Sequence, residues 1–151
     1  MFALVPAKTD QHYAALLELI YHQKTAYLEP LLDLIELTWE QFGNYFRTTG
    51  TAYSICRDKE ILGVCWVKER GEILELIGLI VKPEFQGQGL GTQVLSWLDE
   101  HCSEGIQAIE LQVHASNTRA KALYERMGYI EIYYEPVSCF YTLRKTTEKT
   151  I

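Results

Sequence analysis

The sequence predicts an α/β fold: one domain in which a mixed sheet of about seven strands carries helices on both faces. Three observations carry that expectation. Strand-like and helix-like runs follow one another in the order β, α, α, β, β, β, α, β, α, β, β, a mixture that buries its apolar faces only when helices are layered on a sheet. With 151 residues, 48% hydrophobic and 23% charged, the chain has the length of one domain, here residues 1–151, and enough apolar surface for a core. Finally, the apolar run from Leu76 to Val81 reads as a buried strand and passes through a glycine-rich turn into a run of helical period.

Taken in order, Phe2 to Pro6 is a short apolar segment ended by proline and reads as the first strand. Thr9 or Asp10 can cap the following helix, whose Tyr13, Leu16, Leu17 and Ile20 keep the 3.6-residue period. Tyr21 to Glu29 is a polar and aromatic linker. Pro30 then suits the first position of a second helix with the stripe Leu31, Leu34, Ile35, Trp39, Phe42 and Phe46, ended by Thr48-Thr49-Gly50. Thr51 to Arg57 and Ile61 to Lys68 are strand-like and joined by Asp58-Lys59-Glu60, so a hairpin is expected. Ile73 to Val81 makes the next strand after a turn at Gly71.

Past the glycine turn, Leu90, Val94, Leu95, Leu98 and Cys102 mark a helix that Gly105 closes off, and Ile106 to Val113 alternates as a strand. Asn117 can cap a helix carrying Ala120, Leu123, Tyr124 and Met127, with Gly128 in the position after its end. Tyr129 to Tyr134 and Cys139 to Leu143, around Pro136, complete the strands; residues 145–151 are expected to be a loose polar tail.

Composition narrows the function. No apolar run reaches the ~20 residues that span a bilayer, and the first residues lack the basic region of a signal peptide, so a cytoplasmic protein without membrane contact is expected. Cys56, Cys65, Cys102 and Cys139 are widely spaced in apolar surroundings, which suggests buried thiols rather than disulfides or a metal site. A net charge of −6 without a long basic run argues against nucleic acid and mildly favours a cationic partner.

The organising stretch is Val81-Lys82-Pro83-Glu84-Phe85-Gln86-Gly87-Gln88-Gly89-Leu90-Gly91-Thr92. A helix start carries N–H groups without intrahelical partners and the positive end of the helix dipole, and glycines let an anion approach them closely. A P-loop would need a lysine after Gly91, and a Rossmann fingerprint a third glycine where Thr92 stands. A tight strand-to-helix turn that binds nothing would also account for the glycines. Gln86, Gly89 and Gly91 instead match Gln/Arg-x-x-Gly-x-Gly/Ala, and a second motif follows roughly 25 residues later: Val113-x-x-x-Asn117-x-x-Ala120-x-x-Leu123-Tyr124-x-x-x-Gly128-Tyr129. In order and spacing the two motifs resemble those on the cofactor side of the GNAT family of acetyl-CoA-dependent N-acetyltransferases, over nearly the whole chain.

That resemblance implies a three-layer GNAT-like fold with acetyl-CoA as cosubstrate and no metal. Leu79, Ile80 and Val81 would lend backbone groups to the pantetheine arm, and Gln86, Gly87, Gln88, Gly89, Leu90, Gly91 and Thr92 would wrap the pyrophosphate. Asn117 would contact the pantetheine side and Tyr124 the sulfur. An alkyl amine, pKa ~10.4, is free base in only about one molecule in 10³ at pH 7, so a base is sought. Glu75 is the candidate by its place in an apolar strand and by resemblance; pairing with a lysine near the strand's exposed start is its other reading, and Glu72, Glu110 and His114 are rivals. The backbone of Leu79 or Ile80 would hold the oxyanion and the Tyr124 phenol would protonate the leaving thiolate. Tyr21, His22, Tyr27 and Glu29, with Tyr133, Tyr134 and Glu135, are candidates to recognise the acceptor, a small cationic amine or a peptide amine. A homodimer is left open. The rival readings are a non-catalytic acyl-CoA-binding regulatory module and, more distantly, a nucleotide-binding Rossmann module.

Overall fold

The structure is a computed structural model that describes residues 2–23 and 28–147. Its elements in chain order are β1 (Phe2–Pro6), α1 (Asp10–His22), α2 (Glu29–Ile35), α3 (Trp39–Thr48), β2 (Thr51–Arg57), β3 (Glu60–Arg70), β4 (Ile73–Val81), α4 (Leu90–His101), β5 (Ala108–His114), α5 (Thr118–Arg126), β6 (Ile130–Glu135) and β7 (Phe140–Thr146). The strands form a seven-stranded sheet in the order β1-β2-β3-β4-β5-β7-β6. It is mixed: β4 and β5 run parallel, while β1–β2, β2–β3, β5–β7 and β6–β7 are antiparallel. The α/β expectation therefore holds. The chain divides into two compact units, Met1–Val67 with Gly78–Gln86, and Lys68–Ile77 with Gly87–Ile151.

In the first unit the core gathers on Trp66, which is fully buried. Phe42, Tyr45 and Phe46 set their rings edge-on to it at centroid distances of 5.8, 5.5 and 4.9 Å, a geometry in which ring edges meet ring faces. Its indole N–H donates to the Thr49 carbonyl at 2.7 Å, so the polar end of the residue is satisfied as well. One predicted helix is two here. Glu36 turns into the left-handed region with φ 55°, which ends α2, and Thr38 and Gln41 exchange backbone and side-chain hydrogen bonds in a capping box that starts α3. Gly63 on β3 has no room for a side chain: a Cβ there would lie 2.2 Å from the carbonyl oxygen of Ile80.

The second unit packs Leu90, Val94, Leu95 and Leu98 of α4 and Ile109, Leu111 and Val113 of β5 into its interior. α5 ends in a Schellman motif. Gly128, with φ 97°, donates to Glu125 at 3.1 Å, and Tyr129 donates to Tyr124 at 3.0 Å. Lys145 reaches the buried Asp99 carboxylate at 2.9 Å, so an ion pair compensates the buried charge. This bears on the predicted tail. β7 continues through Lys145 and Thr146, and Thr147 is buried, donating from its backbone to Gln107 and from its hydroxyl to the Ile106 carbonyl. Residues 148–151 lie outside the described residues. All four cysteines are free; Cys65 and Cys102 are buried, whereas Cys56 and Cys139 are partly exposed. Burial pushes the Cys65 thiol up to about 12. Among the described residues no helix is long and apolar enough to cross a membrane.

Candidate active site

The glycine turn is built from the backbone outward. After β4 the chain makes a short 3-10 turn at Pro83–Phe85, and the Gln86 side chain donates back to the Val81 carbonyl at 2.9 Å. That bond spends Gln86 on shaping the turn. Gly87 and Gly89 then take φ values of +79° and +81°, which side chains with a Cβ adopt only at a cost. Gly89 is the N-cap of α4 and supplies no side-chain cap, and the first turn of α4 holds no acidic residue. The N–H groups of Leu90, Gly91 and Thr92 accordingly lack intrahelical acceptors, and the positive end of the dipole meets no carboxylate within that turn.

The surroundings of the three glycines differ. A Cβ on Gly91 would lie 2.8 Å from Leu123, so α4 and α5 meet there over a bare backbone; a Cβ on Gly87 would lie 3.6 Å from the Arg119 guanidinium. Around Gly89 the space is open, with nothing within 4 Å of such a Cβ. Backbone donors and the helix dipole thus meet at the open space around Gly89, and the Arg119 guanidinium lies near Gly87. The donor set fits a phosphorylated ligand. Arg119 was missing from the sequence reading. The signal for it was a cation in the first turn of a helix, where the dipole disfavours one unless an anion is near.

On α5, Asn117 accepts from the Ala120 N–H through Oδ1 at 3.3 Å, so its side-chain oxygen serves as the helix cap. Tyr124 is buried and its ring stands edge-on to Tyr129 at 5.9 Å. On β4, Ile80 is buried while Leu79 and Val81 are partly exposed.

The catalytic candidates on β4 and β5 fall on one sheet face that register defines. Residues opposite one another on paired strands share a face, as do alternate residues along one strand. The parallel ladder pairs Ile73–Leu76 with Ala108–Leu111 and ends there. Within it Glu75 stands opposite Glu110, Glu110 opposite Arg144, and Arg144 opposite Ile130. The Glu75 carboxylate accepts from Arg70, and Glu110 accepts from Arg70 at 3.4 Å and from Arg144 at 3.0 and 2.5 Å. The bond from Arg70 to Glu75 pushes the guanidinium above its ordinary range. Two carboxylates and two guanidiniums therefore balance, and Glu75 is paired, with Arg70 in place of the lysine that its other reading expected.

The next level of the face is neutral: Gln112 lies opposite Thr142, and Thr142 opposite Tyr133. Beyond it come His114, Phe140 and Glu135. His114 accepts at Nδ1 from the Ser116 N–H at 3.2 Å, with the Ser116 hydroxyl at 2.7 Å. Glu135 accepts from the backbone and hydroxyl of Ser138 at 2.6 and 2.8 Å, and these bonds hold its carboxyl below the usual range. Tyr134 is pushed up, first by its hydrogen bond with Cys139. Glu72 sits in the turn before β4, where its carbonyl accepts from Gln107 at 2.8 Å. Of the acceptor candidates in the first unit, Tyr21 packs on Trp39 at 5.2 Å and remains 44% exposed; His22 lies 3.9 Å from Glu18 and Glu29 opens α2. Tyr27 lies outside the described residues. Among the described residues no cluster of histidine, cysteine and acidic side chains could hold a metal.

Mixed sheet and glycine turn together define an α/β protein whose α4 start offers bare backbone donors that fit a phosphorylated ligand. The chain belongs to the acetyltransferase (GNAT) family, whose model matches residues 13–129. It is similar to the mycothiol acetyltransferase of Streptomyces griseus, 41% identical over 76 residues that make up 48% of this chain and 25% of that protein. It is also similar to the [ribosomal protein bS18]-alanine N-acetyltransferase of Escherichia coli K12, 44% identical over 57 residues, or 37% of this chain and 38% of that one. The matches thus span well under half of these relatives. In fold the chain is like the PaiA N-acetyltransferase of Thermoplasma acidophilum in complex with coenzyme A, with TM-score 0.72, 17% identity, and 95% and 99% of the two chains covered. The Campylobacter jejuni N-acetyltransferase PseH, in complex with acetyl coenzyme A, gives TM-score 0.66 and 18% identity, covering 98% and 100%.

Proposed function

We propose that this chain is an N-acetyltransferase that moves the acetyl group of acetyl-CoA to an amine by direct attack while both substrates are bound. The observation that carries the reading is the turn from Gly87 to Thr92. Its open backbone donors at an uncapped helix start, with Arg119 beside Gly87, suit the pyrophosphate of coenzyme A. The bound thioester supplies an acyl carbon that an amine can attack. In that step a C–N bond forms and the C–S bond breaks, so two proton transfers need partners. Tyr124, buried on α5, protonates the departing thiolate, for which a phenol is a competent general acid. The proton shed by the amine passes through water to His114, since Glu75 and Glu110 already hold arginines.

Release of free thiol from acetyl-CoA, followed against a panel of amines, amino acids, aminoglycosides and peptides, tests the proposal. Thiol release that depends on one class of amine is expected. Binding of acetyl-CoA with no release for any acceptor would favour the non-catalytic acyl-CoA-binding module instead.

A further inference from the structure

We propose that Gly63 on β3 is a positioning residue for the cofactor: its missing side chain lets the Ile80–Val81 peptide tip out of the sheet, and that tilt aims the Val81 N–H at an amide of the pantetheine arm. The inference rests on the transferase reading above, with coenzyme A as the ligand, and adds a residue that acts on it through the backbone of β4.

In a regular ladder carbonyl groups lie in the sheet and point to the next strand, while side chains stand perpendicular to it. At Gly63 that division fails. The place where its Cβ would stand is taken by the Ile80 carbonyl oxygen, and the Val81 Cα lies 3.1 Å from the same point. Because β3 and β4 are neighbours in the sheet, the Ile80 carbonyl points toward β3, but it is tipped onto the face that Gly63 shares with its register partner Ile55. Any side chain at position 63 would forbid the tilt.

The tilt also turns the next N–H. A trans peptide is planar and holds its C=O and N–H antiparallel, so the Val81 N–H points away from β3 and tips toward the opposite face, the one on which Leu62 and Val64 stand. It leaves by the edge of β4 that β5 pairs only from Ile73 to Leu76. The backbone groups that follow are engaged. The Val81 carbonyl accepts from the Gln86 side chain at 2.9 Å, and the Lys82 N–H donates to the Leu62 carbonyl at 2.8 Å.

A strand edge that its neighbour has left offers amide donors and acceptors to an extended chain with amides of its own. The pantetheine arm is such a chain. It is the part of coenzyme A that a strand edge recognises, whereas the phosphates suit the helix start. A donor already fixed in direction binds without the cost of ordering it. A methyl group at position 63 would press the Ile80 carbonyl back toward the sheet and rotate the Val81 N–H with it, since the two groups share one plane.

The test uses the full chain and two ligands that share the phosphates but not the arm, acetyl-CoA and 3′-phospho-ADP. In calorimetric titrations Gly63→Ala should weaken acetyl-CoA about tenfold, the scale of one lost hydrogen bond, and leave the affinity for 3′-phospho-ADP unchanged. An equal loss for both ligands, or no loss for acetyl-CoA, would overturn the inference and leave the transferase reading standing. The added Cβ also meets the Ile55 Cδ1 at 3.2 Å, so a double variant with Ile55→Val relieves that contact and not the one with the carbonyl. The selective loss should persist in it; full recovery would overturn the inference by assigning the effect to side-chain packing. Should circular dichroism show that Gly63→Ala does not fold, amide exchange in the parent decides. Acetyl-CoA should slow exchange at Val81 and 3′-phospho-ADP should not, and equal exchange with the two ligands would overturn the inference. A parent that binds no acetyl-CoA would overturn both readings.

Discussion

The glycine turn and the β4–β7 face treat charge in opposite ways. At the turn, the start of α4 carries no acidic residue and no side-chain cap, and a guanidinium is added beside Gly87. On the face, two carboxylates meet two guanidiniums and the following level is neutral. The difference teaches what each region leaves to its ligand. Backbone donors at a bare helix start suit an anion, whereas a closed set of ion pairs asks for no further charge.

The most damaging way to break the contrast is at Gly89. Its φ of +81° is a region that costs an L-residue about 1–2 kcal/mol, more for a β-branched one, and its side chain would project into the open space of the turn. Gly89→Val should weaken acetyl-CoA binding at least ~10²-fold by the loss of several charge-assisted hydrogen bonds. Calorimetric titration reads the affinity, and circular dichroism shows whether the fold survives.

A second substitution separates binding from chemistry. Tyr124→Phe keeps the buried ring and removes only the proton, so acetyl-CoA affinity should persist while kcat falls roughly 10²-fold. Equal kcat for the two proteins would leave Tyr124 as packing against Tyr129.

The smallest effect is expected on the face. Because Glu75 serves Arg70 on a half-exposed surface, Glu75→Gln should change turnover by no more than about threefold, the scale of an exposed ion pair, and its pH–rate profile should run parallel to the parent's. A loss that is large at pH 7 and vanishes toward pH 10 would instead place Glu75 in the proton transfer, because free amine becomes abundant near its own pKa.

These regions also differ in how far the sequence disclosed them. The turn was legible because its requirements are local: glycine at positions of positive φ, an apolar strand before it and a helical period after it. The Asn117 cap and the Gly128 stop were legible for the same reason, and the break between α2 and α3 stood in the sequence as Thr38-x-x-Gln41, passed over because the apolar stripe runs on from Ile35 to Trp39. The face was opaque. Glu110 finds Arg70 at a separation of 40 residues and Arg144 at 34, partnerships set by strand register rather than by any spacing along the chain. Glu75 consequently looked like a lone carboxylate among apolar neighbours.

The central claim is that the backbone N–H groups at the start of α4 hold the pyrophosphate of acetyl-CoA. Amide hydrogen exchange resolved to single residues, with and without saturating acetyl-CoA, tests it most directly. The account predicts that exchange slows at Leu90, Gly91 and Thr92, the amides without intrahelical acceptors, and that Gly89→Val abolishes this protection under the same conditions. Unaltered exchange at these three amides in the presence of bound acetyl-CoA would contradict it.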